Sequence, residues 1–192
     1  MPQKGRRDGA EHYCLFETAI GVCGVAWGRL GISRLHLPEG SPGITERRLR
    51  GWCAHAGAGV PPAPVRAATS LLERYFAGAT VDFSGVALDL TGTSPFHRKI
   101  YEAARALAWG ETATYGELAR QAGSPGAGRA VGQAMGRNPV PIVIPCHRVL
   151  AAGGKIGGFS AHGGTLTKRR LLALEGVYLG HGSPGLPGLQ QR

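Results

Sequence analysis

Two adjacent residues, Cys146 and His147, carry the side chains best suited to chemistry in this chain. They lie in the run Ile144-Pro145-Cys146-His147-Arg148-Val149, at the end of a short apolar segment. A thiolate is the reactive form of cysteine, and a neighbouring histidine favours it at neutral pH. The proline fixes the backbone before the cysteine and donates no hydrogen bond. The run predicts a thiol nucleophile with a general base beside it, although a single Cys-His pair also arises by chance.

Further blocks of sequence lie on both sides of this run in a definite order. They are Tyr115, Arg129-Ala130-Val131-Gly132, Asn138-Pro139-Val140-Pro141-Ile142, Gly157-Gly158-Phe159-Ser160 and Leu171-Leu172-Ala173-Leu174-Glu175-Gly176. Together with the Cys-His run, their order and spacing resemble the O6-alkylguanine-DNA alkyltransferases, the methylated-DNA–protein-cysteine methyltransferases. The resemblance is close over residues 93–176, weaker over 13–90 and absent at both ends.

The resemblance implies direct-reversal DNA repair by a methyltransferase. Cys146 would take a methyl or other alkyl group irreversibly from O6 of guanine, and the stable thioether would limit each molecule to one suicidal turnover. His147 would act as the general base through a water molecule, and Glu175 would orient His147. Asn138 would fix the turn that leads into an active-site strand. No cofactor is expected, and the acceptance of O4-alkylthymine is left open.

Four residues would form the guanine pocket by the same resemblance. Tyr115 would promote rotation of the target nucleotide and bind the guanine through its hydroxyl, and Ser160 would bind it through a backbone N–H. The carbonyl of Val149, with that of Cys146, would accept from the exocyclic amine and so select guanine. Phe159 would form an apolar wall. Many members have tyrosine at that position, and the loop that follows it here, 160–164, is longer than in the commoner members.

A helix predicted over 127–137 carries a glycine at every fourth position, at Gly128, Gly132 and Gly136. Glycine costs about 1 kcal/mol per helical position relative to alanine. A bare face permits close approach to another helix or to DNA, and the spacing alone leaves both open; Arg129 beside it favours DNA. The resemblance implies base flipping in the minor groove of double-stranded DNA, with Arg129 filling the gap left by the extruded base. The expected DNA contacts are Ala127, Gly128, Arg129, Gly132 and Arg137.

Capping residues predict the helices that hold these side chains in place. Ser94 followed by Pro95 gives a cap and a proline at the first helical position. Thr114 and Glu117 have the spacing of a capping box. Ser124-Pro125 is expected to open the DNA-contacting helix in the same way. Two short helices joined by a glycine turn are typical of a helix-turn-helix.

The first half of the chain predicts a strand meander from Tyr13 to Leu37, helices over 45–56 and 65–76, and a further strand over 81–90. The predicted fold class is therefore α+β. A small strand and helix domain would precede a helical, winged helix-turn-helix-like alkyltransferase domain. The expected boundaries are a disordered N-terminus at 1–11, a support domain at 12–90, a DNA-binding and alkyl-transfer domain at 91–178, and a flexible tail at 179–192.

The charge balance favours a polyanionic partner. The 22 Lys and Arg residues against 12 Asp and Glu give a formal net charge of +10, although a GC-rich genome also enriches arginine. The N-terminus has no apolar core of a signal peptide and no run is long enough for a membrane span, so we expect a cytoplasmic protein that binds no membrane. We also expect a monomer. Some members of the resembled family hold zinc. The matching positions here are Gly28 and Ser33, so no metal is expected.

Three other functions stay open on the sequence alone. A Cys-His hydrolase would use the same thiolate, but it would need an oxyanion hole and gives the helix-turn-helix no purpose. A non-catalytic sensor of alkylated guanine would not need Cys146. A sequence-specific transcription factor would carry Asn, Gln or Arg along its recognition helix, whereas this helix is largely glycine and alanine.

Overall fold

Four strands form a sheet in the first half of the chain, as seen in the computed structural model, which describes residues 10–179. They are β1 (His12–Phe16), β2 (Cys23–Gly28), β3 (Gly31–His36) and β4 (Gly57–Ala58). The strand order is β3-β2-β1-β4, with antiparallel β1–β2 and β2–β3 pairs and a parallel β1–β4 pair. The predicted strand meander over this region is confirmed.

Two helices pack beside this sheet, α1 (Pro42–Trp52) and α2 (Ala63–Phe76). They confirm the helices predicted over 45–56 and 65–76, although α1 ends four residues earlier than expected. Both begin with proline in the first turn, where a missing N–H leaves no hydrogen bond unmade. The apolar face of α2 carries Leu72, Tyr75 and Phe76 into the core.

The strand predicted over 81–90 was wrong. This segment has no regular structure and touches β3 through one isolated bridge, between Ile32 and Leu88. The guanidinium of Arg105 donates to the carbonyls of Phe83, Ser84 and Val86, each at 3.0 Å. Those carbonyls bind a side chain instead of a neighbouring strand, so the apolar pattern here forms a clamped loop.

The second half contains α3 (Pro95–Arg105), α4 (Tyr115–Gln121), α5 (Gly128–Gly136) and α6 (Gly164–Leu174). The parallel pair β5 (Ala113–Thr114) and β6 (Val149–Leu150) lies between them. The predicted caps of α3 and α4 are confirmed. Ser94 accepts from the N–H of His97 at 3.2 Å, and the capping box of Thr114 and Glu117 is complete.

The prediction that Ser124 and Pro125 open the helix α5 was wrong, because α5 begins at Gly128. The N–H of Ser124 donates back to the carbonyl of Ala119, which closes the turn after α4. Gly126 has a φ of 84°, in the left-handed region that a right-handed helix does not contain. The turn between the two helices is therefore longer than predicted, and α5 is shorter.

The two halves of the chain share one hydrophobic core. Buried residues of β2, β3 and α2 belong to the same cluster as those of α3, α5 and the segment around Cys146. The N–H of Leu35 in β3 also donates to the carbonyl of Pro139 at 3.0 Å. The first half therefore supports the segment that leads to the cysteine. The fold is α+β, as predicted.

The predicted disordered ends at 1–11 and 179–192 lie outside the described residues, apart from residues 10, 11 and 179. Of these, Glu11 donates its N–H to the carbonyl of Trp27 at 2.9 Å. Within residues 10–179, no helix is long and apolar enough to cross a membrane.

Candidate active site

Cys146 begins a short 3₁₀ helix, Cys146–Arg148, that follows Pro145 directly. The residue is 6% exposed and lies at a cleft of about 210 Å³. The cleft is lined by Tyr115, Gly132, Met135, Gly136, Cys146, Gly158, Phe159 and Ser160. The structure thus brings the predicted nucleophile, three predicted pocket residues and two glycines of α5 to a single opening.

The segment before the cysteine is a closed loop held by Asn138, and residues 140–144 form no extended strand. The side-chain amide of Asn138 donates to the carbonyl of Ile144 at 2.7 Å, and its oxygen accepts from the N–H of Val140 at 3.0 Å. Ile142 has a φ of 73°, which an extended strand does not allow. The Asn138 side chain satisfies both ends of the loop and so fixes the approach to Cys146.

The thiol of Cys146 is protonated at rest in this surrounding. Burial raises the pKa of Cys146, while a hydrogen bond from the Asn138 side chain and the positive charge of Lys168 act against that rise. Because the thiolate is the reactive form, a reaction at this thiol would need a group that removes its proton.

His147 is fully buried and can supply that group. Its Nε2 lies 2.7 Å from Oε1 of Glu175, while its Nδ1 is buried with no hydrogen-bond partner among the described residues. Burial lowers the pKa of His147, although Glu175 acts in the opposite direction. Since an ionised carboxylate only accepts, Nε2 carries the proton of the neutral ring. Nδ1 is then left with a free lone pair, which is what a general base requires.

Glu175 is held as an anion by Arg148 as well as by His147. Arg148 donates from Nε to Oε2 at 2.8 Å and from Nη2 to Oε1 at 3.0 Å, and its Nη1 donates to the carbonyl of Leu107 at 2.6 Å. Burial would raise the pKa of Glu175, but the hydrogen bonds from His147 and Arg148 outweigh it and lower that pKa to about 2. The carboxylate therefore stays charged over the whole physiological range.

The sequence interpretation missed Tyr75, a residue of α2. Its hydroxyl donates to Oε1 of Glu175 at 2.8 Å and lies 3.2 Å from Nε2 of His147. The sequence interpretation also gave no role to Arg148, although Arg148 lies within the Cys-His run. Tyr75 falls on a regular apolar helix face 72 positions before His147 along the chain, so nothing in its local pattern distinguishes it from a core aromatic residue.

Lys168, on α6, is a second residue that the sequence interpretation missed. It is fully buried, and its ammonium donates to the carbonyls of Val149 at 2.5 Å and Gly158 at 3.2 Å. Burial lowers the pKa of Lys168 to about 8, although the neighbouring Cys146 favours its charged form. Lys168 ties the cleft-lining loop to the core and places a positive charge near the thiol. A single lysine in a basic helix gives no sequence signal for this role.

Three of the four predicted pocket residues, Tyr115, Phe159 and Ser160, line the cleft, and Val149 is not part of its lining. Tyr115 begins α4, half-buried, with Lys168 5.9 Å from its ring centroid. Gly157 has a φ of 64°, and a Cβ there would lie 3.2 Å from the Tyr115 hydroxyl oxygen, so a larger residue would press on that ring. Val149 is fully buried; its carbonyl accepts from Lys168 and keeps a second lone pair.

The glycine face of α5 is open beside the cleft. A Cβ built at Gly132 or Gly136 would meet nothing within 4 Å, whereas one at Gly128 would approach the start of α4, 3.8 Å from the backbone nitrogen of Gly116. Helix packing therefore accounts for Gly128 alone. Arg129 and Arg137 are exposed at either end of this face. Ala127 occupies the N-cap position of the helix and is half-buried, and its side chain makes no capping hydrogen bond.

A cluster of potential metal ligands is absent from the residues that the structure describes. Across 10–179, no three His, Cys, Asp or Glu side chains lie close enough to hold a metal ion. Ser33, one of the positions compared with zinc ligands, is buried and donates its hydroxyl to the carbonyl of Ala26 at 3.3 Å.

Comparisons with known proteins agree on one family. The family model described as the DNA-binding domain of 6-O-methylguanine DNA methyltransferase matches residues 95–177. A methylated-DNA–protein-cysteine methyltransferase of Mycolicibacterium paratuberculosis is 48% identical over 114 residues, 59% of this chain and 67% of the relative. Another, of Methanosarcina acetivorans, is 37% identical over 171 residues, 86% of this chain and 98% of the relative.

Solved structures give the same result for the fold. The Mycobacterium tuberculosis OGT in complex with DNA superposes with a TM-score of 0.69 at 38% identity, covering 85% of this chain and 92% of that chain. The O6-methylguanine-DNA methyltransferase of Pyrococcus kodakaraensis superposes with a TM-score of 0.65 at 27% identity, covering 86% and 99%. The similarity therefore extends over both halves of the chain.

Proposed function

The chain belongs to the family of methylated-DNA–protein-cysteine methyltransferases, and on that premise we propose that Cys146 is its alkyl acceptor. Its function is direct-reversal repair of alkylated DNA, and its enzyme class is that of the methyltransferases. One observation carries the residue assignment. Buried Cys146 borders an open cleft beside a neutral His147, whose Nδ1 has no partner among residues 10–179.

In the proposed reaction His147 Nδ1 takes the thiol proton of Cys146 through a water molecule. The thiolate attacks the alkyl carbon, the new S–C bond forms, and the C–O6 bond breaks with its electron pair going to the guanine. The departing guanine takes up the proton that the thiol released. The product is an unmodified guanine in DNA and a thioether on the protein. Because ordinary hydrolysis does not break a thioether, each molecule acts once.

The cleft supports guanine as the group that it receives. In the proposal Tyr115 and Ser160 hydrogen bond the base, Phe159 covers its face, and the carbonyls of Cys146 and Val149 accept from its exocyclic amine. Lys168 already binds the Val149 carbonyl, which leaves one lone pair for that contact. The same groups would suit O4-alkylthymine less well, since thymine has no exocyclic amine to donate.

We propose that α5 lies in the minor groove of double-stranded DNA. Gly132 and Gly136 leave the backbone bare on the cleft side, so the helix can approach a narrow groove closely. A base must leave the stack before Cys146 can reach it. Exposed Arg129 then enters the gap, where its planar guanidinium can stack on neighbouring bases and donate hydrogen bonds.

We expect Arg129→Ala to slow methyl transfer from duplex DNA by about 10- to 100-fold, since extruding a base costs a few kcal/mol. Reaction with a free O6-alkylguanine base should change little, because no extrusion is needed. Single-turnover rates with both substrates measure the difference. Arg170→Ala removes another exposed arginine, from α6, and serves as the control. Equal losses on both substrates would contradict the extrusion role.

We also propose that the protein acts as a cytoplasmic monomer. Every group of the proposed reaction lies in one chain, so chemistry requires no second copy. A thiol nucleophile requires a reducing compartment, since oxidising compartments convert thiols to disulfides. The rival functions receive less support. A lesion sensor has no use for a reactive thiol beside a general base, and a hydrolase would need a preorganised oxyanion hole.

Peptide mass spectrometry tests the proposed function directly. The protein is mixed with a duplex containing one O6-methylguanine, digested and analysed alongside the DNA. We expect one added methyl group on Cys146 and an equal amount of restored guanine. Unmodified protein that still binds the lesion would indicate a sensor, and unmodified protein that ignores the lesion would reopen the hydrolase alternative.

A further inference from the structure

Tyr75 comes from the first half of the chain, yet its hydroxyl lies between two residues of the second half that serve the proposed reaction. The hydroxyl oxygen is 2.8 Å from Glu175 Oε1 and 3.2 Å from His147 Nε2. The side chain is fully buried, and its ring packs edge-on against Phe76 and Trp109, with centroids 5.2 and 5.5 Å away. Rings on two sides therefore fix where the hydroxyl points.

The charge state of Glu175 sets the direction of these hydrogen bonds. A carboxylate whose pKa is about 2 can only accept, so Tyr75 must donate to Oε1. The phenol oxygen then has lone pairs free, and one of them faces the Nε2–H of His147. Tyr75 is thus a donor to Glu175 and an acceptor for His147 at once, and it spans the contact between them.

We propose that Tyr75 is a positioning residue for alkyl transfer, which holds the His147 ring against Glu175 and tempers the carboxylate charge so that His147 stays neutral. The proposal rests on the function proposed above, because it acts through the base that removes the thiol proton. It gives the first half of the chain a part in the chemistry, beyond its support of the core.

Removal of the hydroxyl has a predictable sign. Glu175 would lose one donor, and its negative charge would act more strongly on His147 across their 2.7 Å contact, which raises the pKa of the imidazole. Loss of the phenol oxygen as an acceptor for Nε2–H acts in the opposite direction, but that contact is longer, at 3.2 Å, and its partner is neutral. The other charged or titratable groups around the ring are Arg148, Lys168 and Cys146. Arg148 and Lys168 both lower the pKa of His147, and the substitution leaves them in place. His147 would therefore become protonated, and useless as a base, at a higher pH than in the wild type.

The test compares Tyr75→Phe with Tyr101→Phe in the full chain. Tyr101 is also buried, and its hydroxyl donates at 3.0 Å to the carbonyl of Ala134, away from Glu175. Single-turnover methyl transfer from an O6-methylguanine duplex is measured from pH 5 to 9, with binding to the same duplex and thermal unfolding. For Tyr75→Phe we expect about a tenfold slower reaction at neutral pH, and a fall in rate on the acid side that begins roughly 0.5 to 1 pH unit higher. Duplex binding should be unchanged, and Tyr101→Phe should leave the acid side of the profile where it is.

The proposal would be overturned if the acid side of the pH-rate profile did not move in Tyr75→Phe and the loss of transfer rate matched that of Tyr101→Phe. Tyr75 would then be a core residue only. Should Tyr75→Phe not fold, 3-fluorotyrosine at position 75 keeps the ring and strengthens the donated hydrogen bond. The acid side must then move to lower pH, and no movement would overturn the proposal. Wild-type protein that transfers no methyl group would instead refute the proposed function. Nitrogen NMR of labelled histidine would still test the contact in that case, through the titration of His147 in both proteins.

Discussion

Cys146→Ala is expected to abolish methyl transfer to the protein while it preserves binding to the alkylated duplex. The thiol sulfur is the only atom of the residue that the proposed reaction changes. The surfaces expected to bind DNA, Gly132 and Gly136 with the exposed Arg129, do not use it. Mass spectrometry of the protein after incubation measures transfer, and fluorescence anisotropy of a labelled O6-methylguanine duplex measures binding.

Cys14→Ala is the matched control, because Cys14 is a half-buried thiol in β1 and lies outside the cleft. This variant should be methylated to the same extent as the wild type. Transfer retained by Cys146→Ala would place the nucleophile at another cysteine. Binding lost together with transfer would mean that the thiol itself holds the cleft in shape, and the division between groove contacts and chemistry would then be wrong.

The parts of the site that could be predicted from sequence are those whose physics is local. Ser94 accepts an N–H three residues away, and Thr114 with Glu117 closes a capping box over the same distance, so short patterns located both helices. The predicted pocket residues came from the resemblance, and the cleft brings Tyr115 and Phe159 to Cys146. The helix spacing of the glycines predicted a bare face, and the structure leaves two of the three glycines open.

The parts that could not be predicted depend on contacts between distant segments. Tyr75 and Lys168 reach the site through the packing of α2 and α6, and their own neighbours in sequence carry no sign of it. The strand predicted over 81–90 failed for a similar reason, since Arg105 of α3 binds the carbonyls that a strand would have paired. Apolar periodicity reports that a segment is buried, but the partner of its backbone decides whether it becomes a strand.

We expect Glu175→Gln to have the largest effect on stability of any single change at the site. The amide keeps the size of the side chain, but its NH₂ must face Arg148 or His147, which are themselves donors. Arg148 would stay buried with no carboxylate, and breaking a buried ion pair from one side costs about 3–5 kcal/mol. For a chain of this size that corresponds to a fall in melting temperature on the order of 10 °C. Transfer should slow by about 100-fold or more, since His147 loses the partner that fixes its tautomer.

Glu117→Gln is the matched control, because Glu117 is exposed and a capping box accepts glutamine at that position.

The dependence of folding stability on acid pH separates the effect of the Glu175 charge from the effect of its side-chain shape. With a folded pKa of about 2 against about 4.3 for an unfolded glutamate, its stabilisation is fully present above the unfolded value and is lost as the pH falls towards 2. Wild-type stability should therefore fall more steeply below pH 4.3 than that of Glu175→Gln, which has no group to titrate there. Parallel curves would mean that the carboxylate is not held as an anion in the folded protein, and the assignment of His147 as a neutral base would fail with it.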